Sequence, residues 1–477
     1  MTSLEQESSD HEKASKAEHD IAVLGSPLPP TDPAAVKRLL RKCDLHVVPP
    51  LFVLFLLAFL DRTNIGNARI QGLEASLDMK GSDYNIALFV FFIPYILLEV
   101  PSNIIIKRIA PSTWLSGIMF FWGIATIGQG VVTNFAGLVG CRFLVGLFEA
   151  GLFPGCIYLI SMYYERYELQ WRLTMFFSAS IIAGGLGGLL AYGIANMGGI
   201  AGYEAWRWIF IIEGLATAVI GGLSKIWIVD WPETANFLTD EERALLVQRL
   251  SSDSGSAQMD RLDKRAARRI FLDWKIYCGT LMYMGVQMGY TSSMSQILTI
   301  PIFTCATIFA IGTAFATDKL RHRFSFVILG VVIGSIGYAL MLNMRSVSVG
   351  VRYLACFLIT TGGFISQPIT LAWLSNQMGG HYKRSMAAAI QIGVGNIGGI
   401  VASNIFLEKE EPTYKTGFGS ALAFLIVLCG GMAVAMFFGL RAENTKRDRG
   451  GRNYRYAEDV VDLGNMGDDH PEFRFTT

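Results

Sequence analysis

The chain of 477 residues is divided into about a dozen uninterrupted apolar blocks, most of them close to 20 residues long. A helix of that length spans the ~30 Å hydrocarbon core of a bilayer, whereas segments of a soluble core are shorter or amphipathic. Only 17% of the residues are charged, against roughly 25% in a soluble domain. The pattern predicts an all-α polytopic membrane protein.

The apolar blocks form two groups of about six, separated by a single long polar stretch. This arrangement indicates two helix bundles joined by a linker. We expect a disordered cytosolic tail (1–36), an N-terminal six-helix bundle (37–229), a cytosolic linker (230–273), a C-terminal helix bundle (274–440) and a cytosolic tail (441–477). The charged residues of the linker suit amphipathic helices on the membrane surface. They include Asp240, Glu241, Glu242, Arg243, Arg261, Lys264, Arg265, Arg268 and Arg269.

Basic residues recur in every second loop, which sets the expected orientation. Pairs such as Lys107 and Arg108 follow the second block, and Lys383 and Arg384 follow the tenth. Cytosolic loops are enriched in Lys and Arg, so both termini are expected in the cytosol. The plasma membrane is the expected location.

The seventh block is too short for a full span. It runs from Ile276 to Val286 and is followed at once by Gln287 and Gly289, which leaves roughly 10 to 15 residues where about 20 are needed. If this block did not cross, the later basic loops would face outward, against the charge rule. The seventh span therefore crosses in a truncated form.

Several functional classes have no support in the sequence. A net charge of +1 gives no basic field for nucleic acid, and the seven cysteines lack metal-type spacing. No nucleotide-binding loop of the GxxxxGK[ST] type occurs, and no nucleophile–base pair or metal cluster indicates an enzyme. The sequence predicts neither a cofactor nor a bound metal.

Ionisable residues inside the apolar blocks are costly and usually mark a transport pathway. Asp61 and Arg62 close the first block, where they are either an interfacial pair or part of such a pathway. Arg142 and Glu149 lie seven residues apart in the fourth block, on one face of a helix. They are either a structural clamp or a functional pair in which Arg142 holds an anion and Glu149 exchanges a proton.

Weaker candidates occupy other blocks. Glu99 ends the second block before a proline, where an interfacial position is expected. For Glu213 in the sixth block and for Gln391 and Asn396 in the eleventh, polar helix packing is the favoured interpretation.

The chain resembles the anion:cation symporter family of the major facilitator superfamily, and within it the fungal allantoate permease group that includes nicotinate and pantothenate carriers. The resemblance covers most of the chain from Lys37 to Arg441. The matching segments are LDRTNIGNA, YILLEVPSNIIIKR, RFLVGLFEAGLFPG, EAWRWIFIIEG and DWPETANFLTDEER.

The resemblance implies a major facilitator fold and assigns roles to individual residues. It implies that the substrate anion lies near Arg62 and Tyr95, that Asp61 and Glu149 couple protons, and that Arg142 contributes to the substrate site and tunes Glu149. The remaining implied residues are Asn396, which would line the C-terminal half of the cavity, and Lys107 and Arg108, which would form the cytoplasmic gate.

The resemblance implies a monomeric, proton-driven importer of a small organic anion, with a nicotinate-like monocarboxylate as first candidate. Members of the family have about half a helix more between Val286 and Gln287 than this chain. The chain is therefore either a shortened gene product or uses its short seventh span in a deformed way. Export of a secondary metabolite and a non-transporting nutrient receptor are the alternatives.

Overall fold

A computed structural model describes residues 33–81, 83–165, 167–254, 264–287, 296–405, 410, 413–449, 466–470 and 473–476. Throughout these ranges the regular structure is helical. The expected N-terminal tail (1–36) lies largely outside the described residues. The first helix begins four residues earlier than expected, at Pro33, since proline is favoured in the first turn of a helix.

Six helices form the N-terminal half. They are α1 (Pro33–Ile70), α2 (Asp83–Ile105), α3 (Pro111–Val131), α4 (Phe135–Ser161), α5 (Leu169–Ala195) and α6 (Ala205–Ser224). Their core contains Tyr95, Trp122 and Phe176, each at most 1% exposed. The helices are uniformly apolar because lipid replaces water on their outer faces.

Six more helices form the C-terminal half. They are α7 (Trp274–Gln287), α8 (Gln296–Leu320), α9 (Phe324–Leu342), α10 (Val349–Gln377), α11 (His381–Gly395 and Ile397–Ile405) and α12 (Lys415–Asp448). A separate core is built around Trp373, Ile365 and Met436. The bundles contact each other chiefly through α2 with α11 and α5 with α8.

The seventh span is described as a helix, α7, from Trp274 to Gln287, where this described range ends. At 1.5 Å per residue these 14 residues extend over about 21 Å of the ~30 Å hydrocarbon core. Among the described residues, 11 helices are long and apolar enough to cross a membrane, and α7 is not one of them. The all-α fold of two six-helix groups agrees with the sequence prediction.

Two glycines of α4 allow that helix to approach α2 closely. A Cβ on Gly146 would lie 2.1 Å from the carbonyl oxygen of Phe91, and a Cβ on Gly151 would lie 1.8 Å from the hydroxyl of Ser102. At Gly146 the obstructing atoms belong to the backbone of α2, so no larger residue fits there without separating the helices, and at Gly151 the side chain of Ser102 would have to move. This close approach brings the charged face of α4 against the aromatic residues of α2.

The polar linker contains two helices, where its charge pattern predicted helices. We name them the acidic linker helix (Asp240–Ser254) and the basic linker helix (Lys264–Phe271). The basic linker helix packs against α11 through Ala266 and Ile270, which are almost fully buried. Its arginines lie on its other faces, where Arg265 and Arg268 are exposed and Arg269 is half-buried.

The last part of the chain packs against the C-terminal bundle. We name residues 466–470 and 473–476 the C-terminal strap. Its Phe473 and Phe475 join the core of that bundle, and Asp468 is fully buried. Nη2 of Arg447 donates to the carbonyl of Asp468 at 2.9 Å, and Nη1 donates to the carbonyl of Phe473 at 2.7 Å. Part of the expected cytosolic tail (441–477) is thus built into the fold.

Candidate substrate site

A cavity of about 350 Å³ lies between the two bundles. Both halves of the chain contribute to its wall, which is mostly apolar with a few convergent polar groups. Such a cavity suits a small ligand held in one orientation. The polar lining residues are Arg62, Thr63, Tyr95, Glu149, Ser180, Tyr283, Gln287, Gln367 and Asn396.

Arg62 and Glu149 form an ion pair in this cavity, across α1 and α4. The Glu149 side chain is 4% exposed and that of Arg62 is 29% exposed, so the guanidinium is the more accessible partner. The Arg62 guanidinium also lies over the rings of Tyr95 and Phe91, at 5.1 and 5.4 Å from the centroids. Arg62 is therefore held by charge and by aromatic faces within the cavity.

Asp61 points to a different part of the protein. Successive residues of a helix are about 100° apart, so Asp61 cannot share the direction of Arg62. Its Oδ2 accepts a hydrogen bond of 2.9 Å from Thr217 of α6, and nearby Nδ2 of Asn64 donates to Glu213 at 2.7 Å. These four residues form a buried polar cluster between α1 and α6, outside the lining of the cavity.

Arg142 is buried and does not form an ion pair with Glu149 among the described residues. Its Nε and Nη2 have no hydrogen-bond acceptor in the part of the chain that the structure describes. The cavity thus brings together Arg62, Tyr95, Glu149 and Asn396, and it leaves Arg142 outside its lining.

An amide network supplies the polar wall of the C-terminal half. Gln287 Nε2 donates to Oδ1 of Asn396 at 3.0 Å, and Gln367 Nε2 donates to Oε1 of Gln287 at 3.2 Å and to the hydroxyl of Tyr283 at 3.3 Å. Sequence reasoning missed Gln287, Gln367 and Tyr283. For Gln287 and Gln367 the signal available in the sequence was an uncharged amide within or next to an apolar block. The described part of α7 therefore contributes two residues to the cavity, Tyr283 and Gln287.

Stacked aromatic rings form the wall of the N-terminal half. The ring of Phe55 lies 5.0 Å from that of Phe153 and 5.9 Å from that of Phe177. Stacked and edge-to-face contacts at such distances fix the rings relative to one another. The cavity offers a flat apolar surface beside the Arg62 guanidinium.

The bundles are joined at one end by contacts near basic loops, and we call this the basic end. The Lys107 ammonium lies 3.6 Å from the ring centroid of Tyr382. Nη1 of Arg384 donates to the carbonyl of Ser161 at 3.0 Å. Arg108, the other residue expected in a gate, is exposed and lies outside these contacts.

Glu99 lies between the bundles and not at the membrane–water interface expected from its place at the end of a block. It is 0% exposed, and a Cβ on Gly393 of α11 would lie 2.5 Å from its Oε2. Neither carboxylate oxygen has a hydrogen-bond partner among the described residues. Packing of α11 over α2 excludes the water that was expected around Glu99 from its place at the end of an apolar block.

Comparisons with known proteins agree with this architecture. Residues 51–403 match the family model of the Major Facilitator Superfamily. The chain is 32% identical over 453 residues to an uncharacterized transporter of Schizosaccharomyces pombe, which covers 92% of this chain and 89% of that protein. It is also 32% identical to the MFS-type transporter cnsO of Penicillium expansum, with coverage of 93% and 91%.

Solved structures of the same fold are more distant in sequence. The proton:xylose symporter XylE superposes with a TM-score of 0.65 at 14% identity, covering 83% of this chain and 95% of XylE. The human organic anion transporter MFSD10 (TETRAN) superposes with a TM-score of 0.53 at 14% identity, covering 81% and 99%. At this identity the likeness concerns the fold alone. The matched family model and the full-length relatives show that the chain is a membrane transporter that belongs to the major facilitator superfamily.

Proposed function

We propose that this transporter imports a small organic anion together with protons, as expected for the anion:cation symporter family and its allantoate permease group. The observation that carries the proposal is the Arg62–Glu149 ion pair in a largely apolar cavity between the bundles. A permanently charged guanidinium whose partner is a protonatable carboxylate is the arrangement that anion–proton coupling requires.

The coupling follows from competition for one guanidinium. Arg62 offers a donor fork that matches a carboxylate, and it remains charged at every physiological pH. When a substrate carboxylate takes this fork, the buried Glu149 loses the partner that stabilised its charge. Binding a proton neutralises Glu149, so anion and proton occupy the site together. Release of the anion returns Arg62 to Glu149 and expels the proton.

The walls of the cavity favour a flat monocarboxylate. The rings of Phe55, Phe153 and Phe177 provide a surface for an aromatic ring, and the amides of Gln287 and Gln367 provide donors and acceptors opposite it. A pyridine carboxylate such as nicotinate satisfies both sides. The role of Asn396 is to orient Gln287 by accepting its hydrogen bond.

Asp61 serves as a second protonatable group in this proposal. It is buried near Glu213, and among the described residues it forms no ion pair with Arg62. Lys107 closes the basic end by its contact with Tyr382. Arg108 is the weaker gating candidate because it is exposed.

The proposed orientation places the basic end and both termini in the cytosol, in the plasma membrane. Two single substitutions test this orientation in intact cells. They are His322→Cys, beside α8 at the basic end, and Ile200→Cys, after α5. An impermeant maleimide is expected to label the cysteine at Ile200 and not the one at His322, with the parent chain giving the background. Labelling at His322 alone would reverse the orientation.

Uptake by a permease-deficient cell tests the function. We expect labelled nicotinate, or a related aromatic monocarboxylate that competes with it, to accumulate above the outside concentration. A protonophore should abolish this accumulation. Outward transport of a loaded carboxylate without inward accumulation would instead support an exporter.

The short seventh apolar block, from Ile276 to Val286, gives the receptor alternative its specific support. A version with the seventh span extended to about 20 residues is the matched control for the uptake experiment. Saturable binding without accumulation by the natural chain, together with accumulation by the extended version, would show that the short span removes transport and leaves a receptor.

A further inference from the structure

A second cavity, of about 420 Å³, lies at the basic end of the C-terminal bundle, away from the substrate cavity. It opens where the basic linker helix, the start of α7, the start of α11 and the C-terminal strap meet. Its lining residues are Arg265, Arg268, Arg269, Leu272, Asp273, Trp274, Lys275, Lys383 and Asp469.

Basic side chains outnumber acidic ones among the described residues that line this cavity, with five lysines and arginines beside two aspartates. Lys275 and Lys383 each lie within 2.9 Å of both Asp273 and Asp468, so two ammonium groups are matched by two carboxylates. The basic linker helix adds three arginines to the lining, and one of them, Arg269, lies 4.0 Å from the carboxylate of Asp469. The net positive charge of this lining favours an anion with several acceptor oxygens.

Exposed apolar residues lie on and beside the wall of this cavity. Phe271, Leu272, Trp274 and Tyr277 are all exposed, and Leu272 reaches 69%. Leu272 and Trp274 line the cavity, and all four stand where the basic linker helix passes into α7. Basic side chains beside exposed aromatic and aliphatic residues are typical of a protein surface that meets lipid headgroups.

We propose that this cavity binds the phosphate of an anionic phospholipid. Arg265, Arg268 and Arg269 hold the phosphate oxygens, and the acyl chains lie along Leu272 and Trp274. The site continues to Lys383, one residue before the Arg384 that bridges the bundles. A bound headgroup therefore contacts the same helix end as the inter-bundle contacts.

Lipid binding to the purified full-length chain in mild detergent tests the proposal without any transport measurement. The probes are dioctanoyl phosphatidic acid, dioctanoyl phosphatidylcholine and glycerol 3-phosphate, with occupancy counted by native mass spectrometry. Phosphatidic acid is expected to bind at least about tenfold more tightly than the other two, because it alone combines a phosphate monoester with acyl chains.

Charge variants separate this cavity from general surface attraction. Arg265→Gln with Arg268→Gln should weaken binding of phosphatidic acid about 25-fold, at roughly fivefold per basic residue near a lipid surface. The matched control is Arg38→Gln with Arg41→Gln, which removes the same charge from exposed positions on α1 and should change binding less than twofold.

Asp469→Asn tests the opposite change in charge. It removes a carboxylate from the cavity and should therefore tighten the binding of phosphatidic acid. This variant keeps the inference testable if the double arginine variant does not fold. Equal binding of phosphatidylcholine, or equal losses in the linker and control variants, would refute the site. Glycerol 3-phosphate binding as tightly as phosphatidic acid would show a soluble phosphate site and overturn the lipid assignment.

Discussion

Replacing Asp468 by Asn should detach the C-terminal strap and destabilise the C-terminal bundle. The Asp468 carboxylate lies 2.9 Å from the Lys275 ammonium and 2.7 Å from the Lys383 ammonium. All three side chains are at most 7% exposed. Asn keeps the size of the side chain and removes only its charge.

The magnitude follows from the charge count. After the change, Asp273 is the one carboxylate among the described residues that still forms ion pairs with the two buried ammonium groups, which leaves one ammonium without a direct partner. Breaking a buried ion pair by removing one partner costs about 3–5 kcal/mol. The strap's other contacts, such as the 2.8 Å hydrogen bond from Gln377 to the carbonyl of Thr476, do not replace that charge.

Thermal unfolding of the detergent-solubilised protein, with protease digestion of the strap, measures the effect. Asp468→Asn should lower the unfolding temperature by several degrees and expose the strap to cleavage. Asp469→Asn is the matched control, because its carboxylate is 28% exposed and its ion pair spans 4.0 Å, so a loss below ~1 kcal/mol is expected.

Adding Lys275→Met to Asp468→Asn should restore part of the stability, since one lysine and one aspartate then remain paired. An unfolding temperature for Asp468→Asn equal to that of the control, with the strap still protected, would refute the buried charge cage.

The remaining predictions concern the substrate site and pH. Glu149→Gln should retain substrate binding or exchange but lose protonophore-sensitive accumulation, as measured by uptake and counterflow; unchanged accumulation would remove it from proton coupling. Arg62→Lys should weaken substrate binding about 10- to 100-fold while the protein still reaches the membrane, because the ammonium lacks the bidentate fork; this comparison is made in the version with the extended seventh span, where wild-type affinity would contradict the assignment. Glu99→Gln should leave stability unchanged, because a carboxylate that is 0% exposed without a hydrogen-bond partner is expected to be neutral already; strong destabilisation would show that it is charged. Burial opposes the charged form of Asp468, but Lys275 and Lys383 outweigh burial and hold its pKa well below the usual range. Its stabilisation is therefore fully present above the unfolded pKa of about 3.9 and is lost only as pH falls through the lower folded pKa, so strap protection should be constant from pH 8 to pH 5.

The number and length of the spans could be read from the sequence because they depend on local composition and on the lipid solvent. A run of apolar residues near 20 satisfies its own backbone hydrogen bonds as a helix and needs no particular neighbour. For the same reason the block from Ile276 to Val286 identified α7, and the charges of the linker indicated helices there.

Partner choice among the ionisable residues depended on packing between helices. The seven-residue spacing along α4 suggested that Glu149 acts together with Arg142. In the structure Glu149 instead pairs with Arg62, 87 residues away in sequence. The packing of α4 within the N-terminal bundle, which includes the close approach of its glycines to α2, places Glu149 in the cavity beside Arg62.

The burial of Glu99 and the docking of Asp468 likewise required the tertiary structure. Both residues stand at positions that read as exposed, one at the end of an apolar block and the other in a polar tail. The packing of α11 over α2 and of the strap over the C-terminal bundle removes them from water. The sequence by itself determined which segments enter the membrane, since that is settled residue by residue against lipid. The tertiary structure alone decided which charges meet, since that depends on how the helices approach one another.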